Sequence, residues 1–358
     1  KITIIDYEDV IKNPSENHSL HFELEESFGS DDSLGIIAIR NIPDFVELKN
    51  KLLSMIHTLV HLPSDYIEAE LEDPDSLYNA GYSFGKEKLG DKPDKCKASY
   101  YFNPITDNPG SESDRDKYPY SYPCNRWPTS KFPDLEPSAK SLGKLMKHVV
   151  VRLSKHIDAF AHQKVPSYEE GQLYQAMKNT EKVKGRLLYY FPLASQSALE
   201  KEDSWIGWHN DSGFLTALAG DLYLNHSTGQ LWEGTDPSAG LYVVTRNNTV
   251  QRVEIPPDCM AVQLGECVQI LTAGAVMATP HCVRGTKIPN VARVSFPCFI
   301  DTPPHFALHV PSGCSREQVF VADCSRVPAL EKRWISDGMT FGDFLSTTFS
   351  QYYEWNAP

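Results

Sequence analysis

The chain has 358 residues, 41% hydrophobic and 23% charged, the usage of a globular protein with a packed core in one large domain or two smaller ones. Its formal net charge of −13 repels phosphate backbones, and with no basic patch to offset it, nucleic acid is excluded as the expected partner. Eight cysteines without a C-x-x-C pair exclude a zinc ribbon or a thioredoxin-like motif, and no apolar run is long enough to span a bilayer.

In chain order, KITIIDYEDVI reads as a short strand followed by a helical turn, and SLGIIAIRNIP (33–43) as a β-rich run stopped by proline. Apolar residues at Phe45, Leu48, Leu52, Ile56 and Val60 predict a helix within 43–63, bounded by proline at both ends. Residues 64–135 are polar and rich in Pro, Gly, Asp and Tyr, and read as loops carrying short elements. The clearest helix lies within 138–164, where Leu142, Leu145, Met146, Val149, Leu153, Ile157 and Phe160 form one stripe. From Gly185 to about Asp301, short β-rich runs follow one another between turn residues: GRLLYYF, WIGWHND, FLTALA, DLYLN, GLYVVTR, VQRVEI, CMAVQLG, VQILTAG, AVMATPH and ARVSFPCFI. So many short strands in one block predict a sandwich or jelly roll. TFGDFLSTTFSQYYEWNAP reads as a final helix and tail. The expected class is mainly β with flanking helices. Residues 1–136 form an N-terminal α/β region packing on a core, and 137–358 hold the long helix, the strand block and the last helix.

WIGWHND places His209 and Asp211 two apart. In a strand, residues i and i+2 share a face, so an imidazole and a carboxylate project together and offer two adjacent ligands to a divalent metal. By itself H-x-D is common. The strand block holds two more histidines. His226 falls in a loop-like stretch, whereas His281 ends the run AVMATPHCV, near the close of a strand. His209, Asp211 and His281 together make a two-histidine, one-carboxylate facial triad, which leaves coordination positions open and whose usual metal is Fe(II). Beyond His281 come Arg293 and Ser295, again on one face. An arginine fork beside a hydroxyl suits a carboxylate, since charge-assisted bidentate bonds fix its geometry. One competing motif, GYSFG (81–85), satisfies the serine-hydrolase elbow G-x-S-x-G, but that elbow needs a buried strand before it and a helix after it, and its flanks here are polar.

WHND, then PPDCMAVQLGECVQILTAGAVMATPHCVRG, then ARVSFPCFIDTPP resemble the Fe(II)- and 2-oxoglutarate-dependent dioxygenase superfamily. Within it the chain resembles the group of isopenicillin N synthase and the plant flavonoid and hormone dioxygenases. GIIAIRNIP resembles that group's N-terminal G-F-F-x-x-x-N-H-G-I-P segment without its histidine and last glycine, and NRWPTSKFPDLEP before the long helix fits its layout. The resemblance covers most of the chain. It implies a double-stranded β-helix (jelly-roll, cupin-like) core and iron held by His209, Asp211 and His281. It further implies 2-oxoglutarate held by Arg293 and Ser295 with help from Tyr190, and O2 as oxidant. Tyr82 and Phe299 become candidate substrate contacts. Leu188 stands where the family has an asparagine, so that hydrogen bond near the metal is missing. The stretch from Asp211 to His281 is longer than in the family, and 225–239 is a candidate loop over the site mouth. Trp208, which alternates with the metal-facing positions, is expected to pack in the core.

The implied reaction couples oxidative decarboxylation of 2-oxoglutarate, giving succinate and CO2, to oxidation of a small organic substrate, hydroxylation first. A carboxylate at Asp211 disfavours a halogenase, because no position is vacated for halide. Two alternatives stay open: a 2-oxoglutarate-independent Fe(II) oxidase of the isopenicillin N synthase or ethylene-forming type, and a non-catalytic metal-binding relative. The protein is expected to be cytoplasmic and monomeric, with a small-molecule partner, no nucleic acid and no membrane.

Overall fold

In the computed structural model, which describes residues 1–89, 92–193, 205–321 and 324–354, the two amphipathic stretches form helices α1 (Phe45–Val60) and α2 (Leu135–Lys164). Three further helices matter below: α3 (Gln172–Asn179), α4 (Glu266–Leu271) and α5 (Phe341–Tyr353). The strands are β1 (Thr3–Asp6), β2 (Ile36–Arg40), β3 (Gly81–Phe84), β4 (Lys88–Leu89), β5 (Lys92–Pro93), β6 (Lys97–Phe102) and β7 (Val183–Tyr190). There follow β8 (Ile206–His209), β9 (Leu215–Asn225), β10 (Gly240–Val244), β11 (Val250–Val253), β12 (Met260–Leu264), β13 (His281–Arg284) and β14 (Val291–Ile300).

Two sheets face each other. The major sheet has eight strands in the order β1-β2-β12-β9-β14-β7-β6-β3, and the minor sheet four in the order β11-β10-β13-β8. β4 and β5 pair separately. Between the sheets lies an apolar layer that includes Ile36, Ala38, Leu188, Tyr190, Trp205 and Val243. On its other face the major sheet packs against α1 and α2 through Ile37, Ile39, Leu187, Tyr189, Val294 and Phe296. The alternation within β2 shows the reason for its unbroken apolar sequence: Ile36 and Ala38 face the minor sheet while Ile37 and Ile39 face the helices. Both faces are covered, so both parities are apolar. This is the jelly-roll core with flanking helices.

Several local expectations change. FLTALA and DLYLN are one eleven-residue strand, β9, because Gly220 pairs with Ser295 and Leu222 with Val294 of β14, and the register shift between them takes up Asp221 without breaking the strand. VQILTAG is not a strand: Glu266–Leu271 is helical, every one of its residues buried, and an apolar run buried all round has no periodicity to separate the two conformations. AVMATPH forms no strand before its last residue; His281 opens β13 rather than closing a strand. The polar stretch 64–135 supplies β3 and β6, the latter buried throughout. The division expected at 136/137 falls in the first turn of α2, and the major sheet crosses it, since β1, β2, β3 and β6 come from the first part. Among the described residues no helix is long and apolar enough to cross a membrane.

Candidate active site

β8 ends at His209 and β13 begins at His281, and the two residues are register partners on neighbouring antiparallel strands. Their rings lie 4.2 Å apart, centroid to centroid. The chain leaves β8 after His209 and turns Asp211 back toward both, with its Oδ1 3.8 Å from His209 Nε2 and 3.5 Å from His281 Nε2. The three potential ligand atoms lie within 4.8 Å of one another, and among the described residues no other group of His, Cys, Asp and Glu meets that condition.

The surroundings fit a divalent cation. Nδ1 of His209 donates to the Gly207 carbonyl at 2.8 Å and Nδ1 of His281 faces the Thr279 carbonyl at 3.3 Å, an arrangement that leaves each Nε2 as a lone-pair donor. Burial, reinforced by the neighbouring His281, pushes His209 down to about 4, so its imidazole is neutral at pH 7. Oδ2 of Asp211 is buried and has no hydrogen-bond partner among the described residues, a costly state for a carboxylate that a cation relieves.

A buried network backs the turn. The Asn210 backbone N–H donates to the Tyr352 hydroxyl of α5 (3.1 Å), and Asn210 Nδ2 donates to Glu266 Oε2 (3.2 Å). The Glu266 backbone N–H donates to the Asp211 carbonyl at 2.8 Å. Arg333 forks onto Glu266 at 2.7 and 2.5 Å, with the two side chains 0% and 1% exposed. Arg333 also donates to Thr348 of α5 at 3.3 Å. Glu266, Arg333 and Tyr352 are absent from the sequence-based expectations. The signal available was a glutamate inside the apolar run CMAVQLGECVQIL, where a charge needs a buried partner.

On the major sheet Arg293 of β14 sits between Tyr190 of β7 and Tyr223 of β9, with its guanidinium 5.1 Å from the Tyr190 ring centre. Arg293 Nε donates to Asp221 Oδ2 at 2.8 Å; Asp221 is a further residue that sequence reasoning missed. Burial alone would lower the arginine; Asp221, Tyr190 and Tyr223 outweigh it and raise it. Ser295 pairs with Leu188 across β7 and with Gly220 across β9. Arg293, Ser295, Tyr190, Leu188 and Phe299 line one cavity of about 930 Å³ together with His209, Asp211 and His281.

Tyr82 is placed elsewhere. It pairs with Tyr100 of β6, which pairs with Leu187 of β7, and all three belong to the helix-packed face of the major sheet. Its expected place at the substrate cavity is therefore corrected; Ser83, one residue on, has the parity of Ser99 and Leu188. GYSFG itself is the strand β3, not a strand–turn–helix elbow. Trp208 is half-buried under the Arg326 guanidinium, 4.9 Å from its ring centre, while Trp205 is the tryptophan of the inter-sheet layer. The stretch after β9 reaches the cavity at Thr235, and its start is fixed on the opposite face, where the Tyr189 hydroxyl meets His226 Nδ1 at 2.6 Å.

No family model and no curated protein matches the chain. Solved structures do. A full-length Neurospora crassa protein, in complex with α-ketoglutarate, matches with a TM-score of 0.65 at 18% identity over 98% of this chain and 95% of its own. JOX2, in complex with 2-oxoglutarate, iron and JA, matches at 0.61 and 19% over 98% and 88%. The rice dioxygenase for auxin oxidation matches at 0.56 and 16% over 89% of each chain. By this shared architecture, the chain has the double-stranded β-helix fold of the Fe(II)/2-oxoglutarate oxygenases.

Proposed function

We propose that this protein is a non-haem Fe(II) oxygenase that couples oxidative decarboxylation of 2-oxoglutarate to oxidation of a small organic molecule, with hydroxylation as its first chemistry. One observation carries the reading: a His-Asp-His cluster with an orphaned carboxylate oxygen opens into the same cavity as Arg293 and Ser295. The order of WHND, His281 and ARVSF supports placement in the isopenicillin N synthase-like group. His209, Asp211 and His281 would hold the iron, which with O2 and 2-oxoglutarate supplies the oxidising power, leaving succinate and CO2. The chain's own residues bind and orient. Arg293, its Nε fixed by Asp221, offers its terminal nitrogens to the distal carboxylate of 2-oxoglutarate. Ser295 and Tyr190 border the same place. Leu188 and the inter-sheet layer keep water from the space between anchor and metal.

The Neurospora crassa protein has also been seen with thymine, and JOX2 with JA. A small-molecule substrate in the 930 Å³ cavity is in keeping with both. The test is anaerobic titration of Fe(II)-loaded protein with 2-oxoglutarate, followed by screening small molecules for coupled succinate release. Binding that is lost in His281→Ala supports the assignment; iron or 2-oxoglutarate binding unchanged in that variant would sink it. The 2-oxoglutarate-independent reading rests on Leu188, which offers no hydrogen bond where the family has an asparagine. It gains if 2-oxoglutarate leaves the Fe(II) spectrum unmoved while a substrate perturbs it.

A further inference from the structure

Three histidines that the oxygenase reading does not use meet on the helix-packed side of the major sheet. His57 lies in the last turn of α1, His61 just past its end, and His226 in the turn that leaves β9. Their rings are close: 4.2 Å between His57 and His61 and 5.5 Å between His61 and His226, centroid to centroid. They are not gathered as a metal site, since among the described residues the triad alone brings its ligand atoms within 4.8 Å.

Hydrogen bonds fix where each ring carries its proton. A carbonyl can only accept, so His57 Nε2 donates to the His226 carbonyl (2.9 Å) and His61 Nδ1 donates to the His57 carbonyl (2.7 Å). The Tyr189 hydroxyl is buried, meets His226 Nδ1 at 2.6 Å, and has no other partner among the described residues. The hydroxyl therefore donates, Nδ1 accepts, and neutral His226 carries its proton on Nε2. A second proton on His226 has only Nδ1 to occupy, where it strips the buried hydroxyl of its acceptor. A second proton on His57 has only Nδ1, against which the Gly229 backbone is closed; a Cβ there would stand 2.5 Å from that nitrogen. His61 differs. It is exposed and its Nε2 is free among the described residues, so it takes the first proton and then confronts the other two rings.

No carboxylate offsets that charge. Around His226 stand Tyr189 and Phe191 from β7 and its exit, His57 and His61 from α1, and Asn290 before β14, whose carbonyl accepts the His226 backbone N–H at 2.9 Å. None of these is an acid, and none of the three histidines has an ion-pair partner among the described residues. Burial, then His61 and His57, lower His226 below the usual imidazole range. The docked turn thus binds fewer protons than the released one below about pH 6.5, and acid favours release by about tenfold per proton and pH unit. The turn is tied to the cavity. The Trp232 backbone N–H donates to the Tyr223 carbonyl at 2.8 Å, Tyr223 flanks Arg293, and the chain runs on to Thr235 at the cavity.

We propose that His57, His61 and His226 form a pH-sensitive latch that holds the turn after β9 against α1 at neutral pH and releases it, with the stretch leading to the cavity, in mild acid.

The test is amide hydrogen–deuterium exchange of the full chain, read by mass spectrometry at pH 7.5, 6.5 and 5.5 and corrected for the intrinsic pH dependence of exchange. Residues 225–232 are expected to exchange about tenfold faster at pH 5.5 than at pH 7.5, while β12 stays protected. His226→Asn places an amide oxygen where Nδ1 accepts from Tyr189 and cannot be protonated, so its turn should stay docked at pH 5.5. His61→Asn keeps the donor to the His57 carbonyl, removes the cation that forms first, and should move release to lower pH. The latch is overturned if the wild type speeds up by less than about twofold, if His226→Asn releases like the wild type, or if β12 opens in step, which is acid unfolding of the whole chain. Should His226→Asn fail to fold, His61→Asn decides alone, and release at the wild-type pH overturns the proposal.

Discussion

The two ends of the cavity wall are built on different terms. At one end Arg293 carries a full charge and arrives with its counter-ion, Asp221, already in place and two tyrosines beside it. At the other, Thr216 of β9 and Gln263 of β12 pair across their strands and line the same cavity with uncharged side chains. A buried guanidinium without a carboxylate costs several kcal/mol, whereas a neutral hydroxyl or amide facing a cavity costs about 1–3 kcal/mol if unpaired and recovers it when water arrives. The arginine is therefore built together with its counter-ion, and the threonine and glutamine need none.

Breaking the metal side, which leaves both ends of the wall in place, has the largest expected effect on turnover. His281→Ala takes one of three ligands from a cluster whose atoms lie within 4.8 Å. Turnover is expected to fall to the uncatalysed background, with Fe(II) binding lost in equilibrium dialysis. Iron retained at wild-type affinity contradicts the ligand assignment.

The next effect tests what holds the cluster. Arg333→Leu strands Glu266 without its partner at 1% exposure, and removal of one member of such a pair costs about 3–5 kcal/mol. Urea denaturation reads this as a lowered midpoint. The double variant Arg333→Leu/Glu266→Leu is expected to regain part of that loss, because no buried charge remains unpaired. Since the Glu266 carboxylate also accepts from Asn210 beside the ligands, metal affinity should drop about 10-fold even in the double variant, which keeps the backbone bond from residue 266 to the Asp211 carbonyl. Recovered stability with intact affinity shows the network to be structural alone.

At the charged end, Arg293→Leu is expected to weaken 2-oxoglutarate by about 2–4 kcal/mol, and Asp221→Asn by less, near 1 kcal/mol, since it only frees the fork that Asp221 aims. Reversal of that order in the KM for 2-oxoglutarate would place the diacid elsewhere.

The Arg293–Ser295 pair was legible because i, i+2 spacing within one strand states which residues share a face, whereas Asp211 lies beyond the end of β8 and joins His209 through a turn rather than through a shared strand face. The spacing does not state which face is the cavity. In a sheet covered on both sides, each parity is apolar, so Tyr82 and Ser83 could not be told apart by pattern, and the tyrosine is the one that packs on the helices. The helix at Glu266–Leu271 was illegible for the same reason. Asp221 and Arg333 are partners created by register and by chain return from far away, and no local spacing records them. Thr216 and Gln263 lie in ordinary strand text and acquire meaning only as neighbours across β9 and β12.

The smallest expected effect falls between the two ends. Leu188 is the β7 partner of Ser295 and lines the cavity, 2% exposed, in the layer between the sheets. Leu188→Asn exchanges apolar contact for one hydrogen bond to a bound carboxylate. The lost burial and the new bond are each worth about 1 kcal/mol and of opposite sign, so 2-oxoglutarate affinity should move by no more than about fivefold. A thermal midpoint lower by a few degrees should accompany it, because the amide has no partner until the ligand binds. If the affinity instead rises by two orders of magnitude, the metal side of the cavity was built without a 2-oxoglutarate anchor, and the alternative oxidase reading gains over the diacid-dependent one.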